Sequence, residues 1–279
     1  MNPLRQEEDM IIDFHTHIFP DKIASRTLEV LSEAGGIPFY TDGTASGLAS
    51  SMQSADITLS VNLPVMTSPQ QVHKVNDSLL AFRDSHRKLG ILSFAGMHPD
   101  YEDYKQELKL RKSQGFSGIK LHPAYQRCDL DDIRYMRIID CACSLGLCVL
   151  THAGEDIGIP GHNYADTGMI LNVIDKVHPE GLILAHMGGW NGWDDVEKYL
   201  AGAPVYFDTA FSINEHGMNT EDFIRLCRKH GTGRILFGSD CPWSCQQKYT
   251  EAFRNMPFTE QELQTVFEGN ALRLITIEE

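Results

Sequence analysis

Residues 10–17 read MIIDFHTH, and this stretch decides which fold the sequence predicts. An apolar run leads directly into two histidines, His15 and His17. Because successive side chains of an extended strand point to opposite faces, we expect Asp13, His15 and His17 to share one face. Ile12 and Phe14 are then expected to point the other way, toward packed helices. The stretch therefore predicts a buried strand that carries polar side chains at its carboxyl end.

Seven more short apolar runs follow along the chain, separated by longer amphipathic stretches. The predicted strands are residues 10–15, 57–62, 92–96, 118–122, 147–152, 182–186, 205–208 and 235–238. The runs are apolar nearly throughout, which is typical of parallel strands buried on both faces. Eight strands that alternate with helices favour an α/β fold with a single (β/α)₈ TIM barrel. A doubly wound open sheet is the main alternative, and it is disfavoured because no glycine-rich phosphate loop follows the first strand.

Helical patterns fill the connections between the predicted strands. They cover residues 68–86, 103–114, 129–144, 167–177, 194–201, 221–230 and 260–267. Ser68 before a proline is a helix start signal, and Thr259 followed by Glu262 has the spacing of a capping box. Residues 35–47 are rich in Gly, Pro and Thr, so we expect a loop insertion after the first strand and helix. No linker-like segment is evident, and the sequence therefore predicts one domain, 1–279.

The composition narrows the classes of partner and compartment. The chain has 279 residues and a formal net charge of -14. This charge argues against a nucleic-acid partner, because phosphate binding needs a basic surface, and no polybasic segment is present to hold an anionic membrane. Residues 1–10 lack the pattern of a signal peptide, and an odd number of cysteines, seven, suits free thiols. We therefore expect a cytoplasmic protein that acts on a small molecule, with homo-oligomer formation left open.

Histidine or aspartate stands at the carboxyl end of at least five predicted strands. The polar strand-end residues are His15, His17, His98, Lys120, His122, His152, His186 and Asp240. In a (β/α)₈ barrel these ends meet at one mouth, where active sites lie, and imidazole and carboxylate suit zinc, manganese or iron. A single strand-end histidine is more often a hydrogen-bonded structural residue, but burying several together without a metal or partner would be costly. The pattern therefore predicts a divalent-metal site.

The same segments resemble the amidohydrolase superfamily, particularly the branch called amidohydrolase 2. That branch includes aminocarboxymuconate-semialdehyde decarboxylase and resorcylate-type decarboxylases alongside hydrolases. The resemblance covers nearly the whole chain and is carried by DFHTH, GIKLHP, THAG, LAHMGG and FGSDCPW, in that order. The order and barrel position of these segments are specific, whereas each short segment alone is not. The resemblance implies a metal-dependent enzyme with one divalent ion, for which zinc is favoured over manganese or iron.

The resemblance also implies roles for individual residues. His15, His17, His152 and Asp240 are implied as metal ligands, with His186 beside the metal as a residue that handles protons or polarises the substrate. Three neutral ligands and one carboxylate leave the ion a net positive charge, which lowers the pKa of bound water toward ~7. Asp240 is then expected to orient or deprotonate that water, and His186 to stabilise a developing oxyanion.

Lys120 has two open interpretations. In binuclear members of the superfamily a carbamylated lysine at the end of strand four bridges two metals, and Lys120 stands close to that place. The alternative is an inward lysine that pairs with a substrate carboxylate or with Asp13. A lysine here also fits the mononuclear branch, so the sequence leaves both interpretations open.

Four other features bear on the site less directly. His122 is expected to contact the substrate or to cap its strand, and His98 to contact the substrate from the barrel mouth without binding metal. Residues 155–166, which include His162, form a long loop that is expected to select the substrate. Cys241 and Cys245 follow the strand-eight aspartate, but no second cysteine pair accompanies them, so buried thiols are favoured over a zinc site.

Three functions remain open at this point, of which hydrolysis of an amide, lactone or ester by a metal-activated water leads. Its rival is non-oxidative decarboxylation of an aromatic or unsaturated acid, which uses the same ligands. A decarboxylase is expected to place an arginine or another cation at the mouth, and the strand-end segments offer Lys120 but no obvious arginine. A non-catalytic barrel that retains a metal is disfavoured because the ligand set is intact.

Overall fold

The computed structural model describes residues 10–276, and within that range nine parallel strands form the wall of the molecule. They are β1 Ile12–Thr16, β2 Leu59–Asn62, β3 Ile91–Ser93, β4 Ala95–Gly96, β5 Gly118–Leu121, β6 Cys148–Thr151, β7 Leu182–Leu184, β8 Tyr206–Asp208 and β9 Ile235–Leu236. Strands β1 to β3 pair in sequence order, and so do β4 to β9. Residues 1–9, on which most of the signal-peptide argument rests, lie outside the described range.

Hydrogen bonds at two places join the paired strands into a closed barrel. The Phe94 N–H, between β3 and β4, donates to the Asn62 carbonyl over 3.0 Å, so β3 and β4 occupy one position in the wall. Where the first and last strands meet, the Phe14 N–H donates to the Phe237 carbonyl over 2.7 Å, and the Asp240 N–H donates to the His15 carbonyl over 2.9 Å. The eight predicted strand positions and the (β/α)₈ barrel are therefore confirmed.

Helices on the outside connect these strands. They are α1 Asp21–Gly35, α2 Ala45–Ser54, α3 Val72–His86, α4 Tyr104–Ser113, α5 Pro123–Gln126, α6 Ile133–Ser144, α7 Thr167–Val177, α8 Trp193–Asp195, α9 Thr220–His230, α10 Gln246–Arg254 and α11 Glu260–Gln264, with π-helical turns at Val196–Leu200 and Thr265–Gly269. The predicted capping box at Thr259 is present, and Ser68 is the N-cap before a proline, as predicted. Helix α6 begins later than predicted because the Asp132 side chain caps it by accepting from the Arg134 N–H over 2.8 Å.

The prediction that Asp13 shares a face with the two histidines is wrong. The register between β1 and β2 shifts between Asp13 and Thr16, where β1 carries one residue more than β2. Such a bulge changes which face the following side chains take. The Asp13 carboxylate accepts from Ser239 N–H over 2.9 Å and from Gln246 Nε2 over 2.7 Å. Burial raises the pKa of Asp13 to about 6, and its role is to brace the first strand against the last.

The bulge also explains why the expected outward direction of Ile12 and Phe14 is wrong. Both are fully buried in a cluster with residues of other strands, such as Leu150, Ile183 and Leu236. A cluster that joins strands from across the wall fills the barrel interior, as expected for a packed barrel core. The larger apolar cluster packs the outer face of the strands against the helices. Within residues 10–276, no helix has the length and apolar character needed to cross a membrane.

Candidate functional site

Seven of the predicted site residues lie around the carboxyl end of the barrel. They are His15, His17, Lys120, His122, His152, His186 and Asp240. His15 and Lys120 lie within strands, His17, His122 and His152 directly follow theirs, and His186 and Asp240 lie two and four residues beyond theirs. All but His17 are buried. Because the strands are parallel, their carboxyl ends meet at one mouth, and the structure places these seven side chains there together.

His15 and His17 are each held by a hydrogen bond at the outer ring nitrogen. His15 Nδ1 lies 2.7 Å from Asp208 Oδ2, and His17 Nδ1 lies 2.8 Å from the Leu63 carbonyl oxygen. Since these oxygens act as acceptors, both Nδ1 atoms carry the hydrogen and both Nε2 atoms present a lone pair. The two Nε2 atoms lie 3.7 and 3.3 Å from Asp240 Oδ1. Three potential ligand atoms therefore lie within 4.8 Å of one another.

His152 and His186 are held in the same way from the other side. His152 Nε2 lies 3.0 Å from the Glu155 carbonyl oxygen, and His186 Nδ1 lies 2.9 Å from the Ala210 carbonyl oxygen. The remaining nitrogens, His152 Nδ1 and His186 Nε2, face each other at 3.0 Å. Burial lowers the pKa of each histidine to about 4. Both rings are therefore neutral at pH 7, and two lone pairs face each other without a hydrogen between them.

The charges around these histidines favour a bound cation. Burial would raise the pKa of Asp240, but His15, His17 and His186 outweigh burial and hold that pKa well below its usual range. Burial lowers the pKa of Lys120 to about 8, and its Nζ lies 3.4 Å from His15 Nε2. Asp240 is therefore ionised at neutral pH, and the Lys120 ammonium contacts one of the four histidines, His15.

We refer to His15, His17, His152, His186 and Asp240 as the histidine cluster. Each of its four histidines uses one ring nitrogen to donate to a protein oxygen and leaves the other as a lone pair. Metal-ligating histidines show this pattern, because the outer hydrogen bond fixes both the tautomer and the ring direction. Four imidazole lone pairs and a carboxylate are ligands that suit a divalent ion. Such an ion would satisfy all of these acceptors at once. His152 lies outside the compact group of three ligand atoms and joins the cluster through His186.

The backbone at two cluster residues is in an uncommon conformation. His186 has φ 58° and Asp240 has φ 67°, both in the left-handed region. Residues other than glycine rarely adopt this region, and they do so most often at functional sites where the surrounding structure holds them. These two strand ends turn sharply, which brings both side chains to the mouth.

A second group of possible ligands adjoins the histidine cluster. His122 Nε2 and His152 Nε2 lie 3.6 and 3.9 Å from Asp156 Oδ2, and the rings of the two histidines stack at 4.6 Å. However, His152 Nε2 already donates to the Glu155 carbonyl. The His122 side chain also accepts from the Tyr125 N–H, so it caps the start of helix α5.

A cavity of about 480 Å³ opens over the histidine cluster. Its wall is mainly apolar and includes Trp190, Phe211 and Trp243 near the cluster. Residues 155–158 of the long loop also line it, which agrees with the predicted part of that loop in substrate selection. Pockets of this size, with an apolar wall and a few polar groups, are typical of small-molecule sites.

Two predicted substrate contacts, His98 and His162, are not among the residues that line the cavity. His98 is buried, and its Nδ1 accepts from the Asp100 N–H over 3.1 Å. The His162 side chain is half exposed, and its Nε2 lies 2.7 Å from Asp129 Oδ1. Both histidines therefore have partners of their own away from the cavity.

Sequence reasoning missed Asp208, which connects three parts of the site. Besides holding His15, its carboxylate accepts from the N–H groups of His186 and Ala210 over 2.9 and 3.0 Å. Asp208 ends the predicted strand 205–208, so its position as a strand-end carboxylate was a signal of the same kind as that of Asp240. Asp156, in the loop after β6, was also missed, and no sequence pattern marks it.

Comparisons with known proteins agree with this architecture. The sequence matches the family model described as Amidohydrolase over residues 12–277. Among solved structures, an uncharacterized TIM-barrel protein from Bordetella bronchiseptica has a TM-score of 0.74 at 17% identity, over 95% of this chain and 98% of that chain. No curated protein sequence matches the chain.

Two other similar structures are described with an activity. A dihydroxybenzoic acid decarboxylase from Polaromonas sp. JS666, with bound manganese and the inhibitor 2-nitroresorcinol, has a TM-score of 0.70 at 16% identity, over 96% of this chain and 97% of that chain. A protein described as a "probable 2-pyrone-4,6-dicarboxylic acid hydrolase" from Acinetobacter baumannii, with citric acid bound, has a TM-score of 0.65 at 17% identity, over 95% and 98% of the two chains. At these identities the likeness shows a shared fold.

Proposed function

The chain belongs to the amidohydrolase family, and from that premise we propose that it is a metal-dependent hydrolase of a small amide, lactone or ester. The proposal takes residues 1–279 as one domain. His15, His17, His152 and Asp240 hold one divalent ion, zinc in preference to manganese or iron, and His186 lies beside it. When bound, the ion supplies a Lewis acid and a water with a pKa near ~7.

The chain's own residues supply the rest of the chemistry. Asp240 stays ionised, so its carboxylate accepts a proton from water at the mouth. His186 is neutral and donates from Nδ1 to the Ala210 carbonyl, so its Nε2 is an acceptor. The sequence prediction of an oxyanion stabiliser requires His186 Nε2 to gain a proton during the reaction. The aromatic wall excludes water from the reacting group, which strengthens the electrostatic interactions at the mouth.

The charge of the cavity wall is the observation that favours hydrolysis over decarboxylation. Among the described residues that line the cavity, Lys120 is the one lysine or arginine, against Glu155, Asp156 and Asp240. Lys120 already faces His15 Nε2 at 3.4 Å. Arginine is the side chain that best matches a carboxylate, through two parallel hydrogen bonds. A neutral amide, lactone or ester needs no such partner, and the wall therefore suits an uncharged carbonyl substrate.

Decarboxylation of an aromatic acid is the second candidate, and the aromatic side chains of the wall favour it. Trp190 lies against Phe211 with ring centroids 5.2 Å apart, and both line the cavity with Trp243. Aromatic rings stack well on such side chains. In this candidate Lys120 would pair with the substrate carboxylate.

The direct test compares the two reactions on the same zinc-loaded or manganese-loaded protein. Aryl esters, lactones and amides are assayed for acid release, and dihydroxybenzoates for carbon dioxide release, with Asp240→Asn as the control. We expect hydrolysis that is lost in Asp240→Asn. Carbon dioxide release without hydrolysis would establish the second candidate, and no turnover of either class by metal-loaded protein would favour a non-catalytic barrel.

A further inference from the structure

The cavity extends well beyond the histidine cluster, along one face of helix α1. Ile23, Thr27, Leu31 and Gly35 all line it, and they recur at every fourth position of the helix. Residues at this spacing form one continuous stripe. At 1.5 Å per residue the stripe runs for about 18 Å. A single aromatic ring placed over the metal ligands would cover only a small part of that length.

The α1 side of this part of the cavity carries no charge, and apolar side chains face the end of the stripe. Ile37 and Ile157 face the end of the stripe, and a Cβ atom added at Gly35 would lie 3.3 Å from Ile157 Cγ2 and 3.4 Å from Ile37 Cγ1. The charged lining residues Lys120, Glu155, Asp156 and Asp240 belong to the β5, β6 and β9 ends and the loop after β6. The cavity is therefore polar over the strand ends and apolar along α1.

The outer part of the apolar wall is open to solvent. Ile23 is 52% exposed and Ile157 is 40% exposed, although both line the cavity. Large apolar side chains that flank a continuous cavity mark a surface that an apolar ligand covers. Because this wall is continuous with the metal ligands, the occupant that fits it is part of the molecule that reacts there.

We propose that the substrate of this enzyme is an amphiphile whose scissile carbonyl lies at the histidine cluster and whose long acyl or alkyl chain lies along the Ile23–Thr27–Leu31–Gly35 stripe of α1. This inference rests on the proposed hydrolytic function. It adds to that function the chemical class of the substrate: a fatty-acyl ester, lactone or amide without a second anionic group. Such a chain gains free energy from each methylene that leaves water.

The test is a homologous series of 4-nitrophenyl esters from butanoate to decanoate, assayed with the zinc-loaded protein. We expect kcat/KM to rise about threefold or more with each added methylene until the chain fills the cavity. Gly35→Leu places a side chain at the narrow end, so the ratio of kcat/KM for decanoate to that for butanoate should fall at least tenfold. Ser25→Leu adds the same side chain on an exposed face of α1 and should leave the ratio unchanged.

Binding of uncharged amides separates this inference from the proposed function. Decanamide should bind the zinc-loaded protein at least about a hundredfold more tightly than butanamide, and Gly35→Leu should remove most of that difference. If no ester is cleaved but decanamide binds in this way, the hydrolytic function fails and the apolar chain site stands. If esters are cleaved with no dependence on chain length, or if the Gly35→Leu ratio equals that of Ser25→Leu, the inference is overturned while hydrolysis stands.

Discussion

Two of the buried polar groups in the barrel differ in how their hydrogen bonds are completed. One is the histidine cluster, and the other, the Arg111 cluster, consists of Asn76, Glu107 and Arg111 between α3 and α4. In the Arg111 cluster, Arg111 is fully buried and donates from Nε to Glu107 Oε1 over 2.7 Å, while Asn76 donates to the same carboxylate over 2.9 Å. Arg111 Nη1 donates to Asp77 over 2.7 Å.

The Arg111 cluster therefore completes its own hydrogen bonds, whereas the histidine cluster has facing acceptors without a donor. Buried polar groups are stable when they are paired, and an unpaired set is costly. The two clusters together show that burial of charge alone does not mark a functional site. A functional site is marked by a set of groups whose partner must come from outside the chain, and at the histidine cluster we propose that this partner is a divalent ion.

The largest expected effect is on catalysis. Asp240→Asn replaces the ionised ligand with a neutral one of the same shape, so kcat/KM for the best substrate should fall by at least about a thousandfold. Steady-state kinetics with metal-saturated protein measure the loss, and far-ultraviolet circular dichroism checks the fold. A variant with near-normal kcat/KM would show that Asp240 has no part in the chemistry.

The next effect is on stability and concerns the Arg111 cluster alone. Arg111→Met leaves Glu107 buried without its cation, so the free energy of unfolding should fall by about 3–5 kcal/mol. Urea unfolding followed by circular dichroism measures this loss, and metal content should stay unchanged. The matched control is Arg26→Met, since Arg26 pairs with Glu29 at the surface and should change stability by less than about 1 kcal/mol. Equal effects of the two variants would remove the distinction between the clusters.

A smaller effect is expected at the positioning residue Asp208. Asp208→Asn turns an acceptor toward His15 Nδ1 into a donor, so the ring loses the bond that fixes its tautomer. Loss of such an orienting partner costs about 10–100-fold in metal affinity. Competition with a chromophoric chelator measures zinc affinity, and the exposed Asp194→Asn serves as control. Unchanged affinity in Asp208→Asn would mean that His15 does not bind the ion.

The remaining effect is the response of the metal-free protein to acid. His152 and His186 have a folded-state pKa of about 4, and an unfolded histidine has a pKa of about 6.5. Between these values the unfolded chain binds protons that the folded chain does not. The free energy of unfolding therefore falls as the pH is lowered, by about 1.4 kcal/mol per pH unit for each histidine.

Urea unfolding at pH 6.5 to 4.5 tests this on metal-free protein. His186→Asn should lower the pH dependence of the unfolding free energy by the contribution of one histidine, about 1.4 kcal/mol per pH unit. The exposed His162→Asn should leave that pH dependence unchanged. Burial would raise the pKa of Glu107, but hydrogen bonds from Arg111 and Asn76 hold it below its usual value. The Arg111 cluster therefore keeps its charges in this range. Equal slopes in the wild-type protein and His186→Asn would show that His186 is not a buried neutral acceptor.

Much of the barrel could be read from the sequence because buried parallel strands are apolar on both faces. The same pattern could not reveal that Phe94 divides one strand into two, since the run from Ile91 to Gly96 is apolar except for Ser93. Nor could it reveal the bulge after Asp13. A strict period of two predicted one face for Asp13 and His15, and a register shift of one residue separated them.

The site was predictable where its residues sit at strand ends, and less so where it depends on loops and backbone. His15, His17 and Asp240 meet as expected. The positive φ values of His186 and Asp240 and the carbonyl of Glu155 that holds His152 depend on tertiary contacts that no local pattern encodes. The stripe of α1 residues facing the cavity was also hidden, because Thr27 and Gly35 do not belong to an apolar repeat.

The central claim is that the histidine cluster is completed by one divalent ion. The most direct test is metal content per chain by plasma mass spectrometry, on protein purified without an affinity tag or chelator. We predict about one equivalent of zinc, manganese or iron, whereas close to two would make Lys120 a bridging ligand. Protein that contains no metal and takes up none from zinc, manganese or ferrous solutions would contradict the claim.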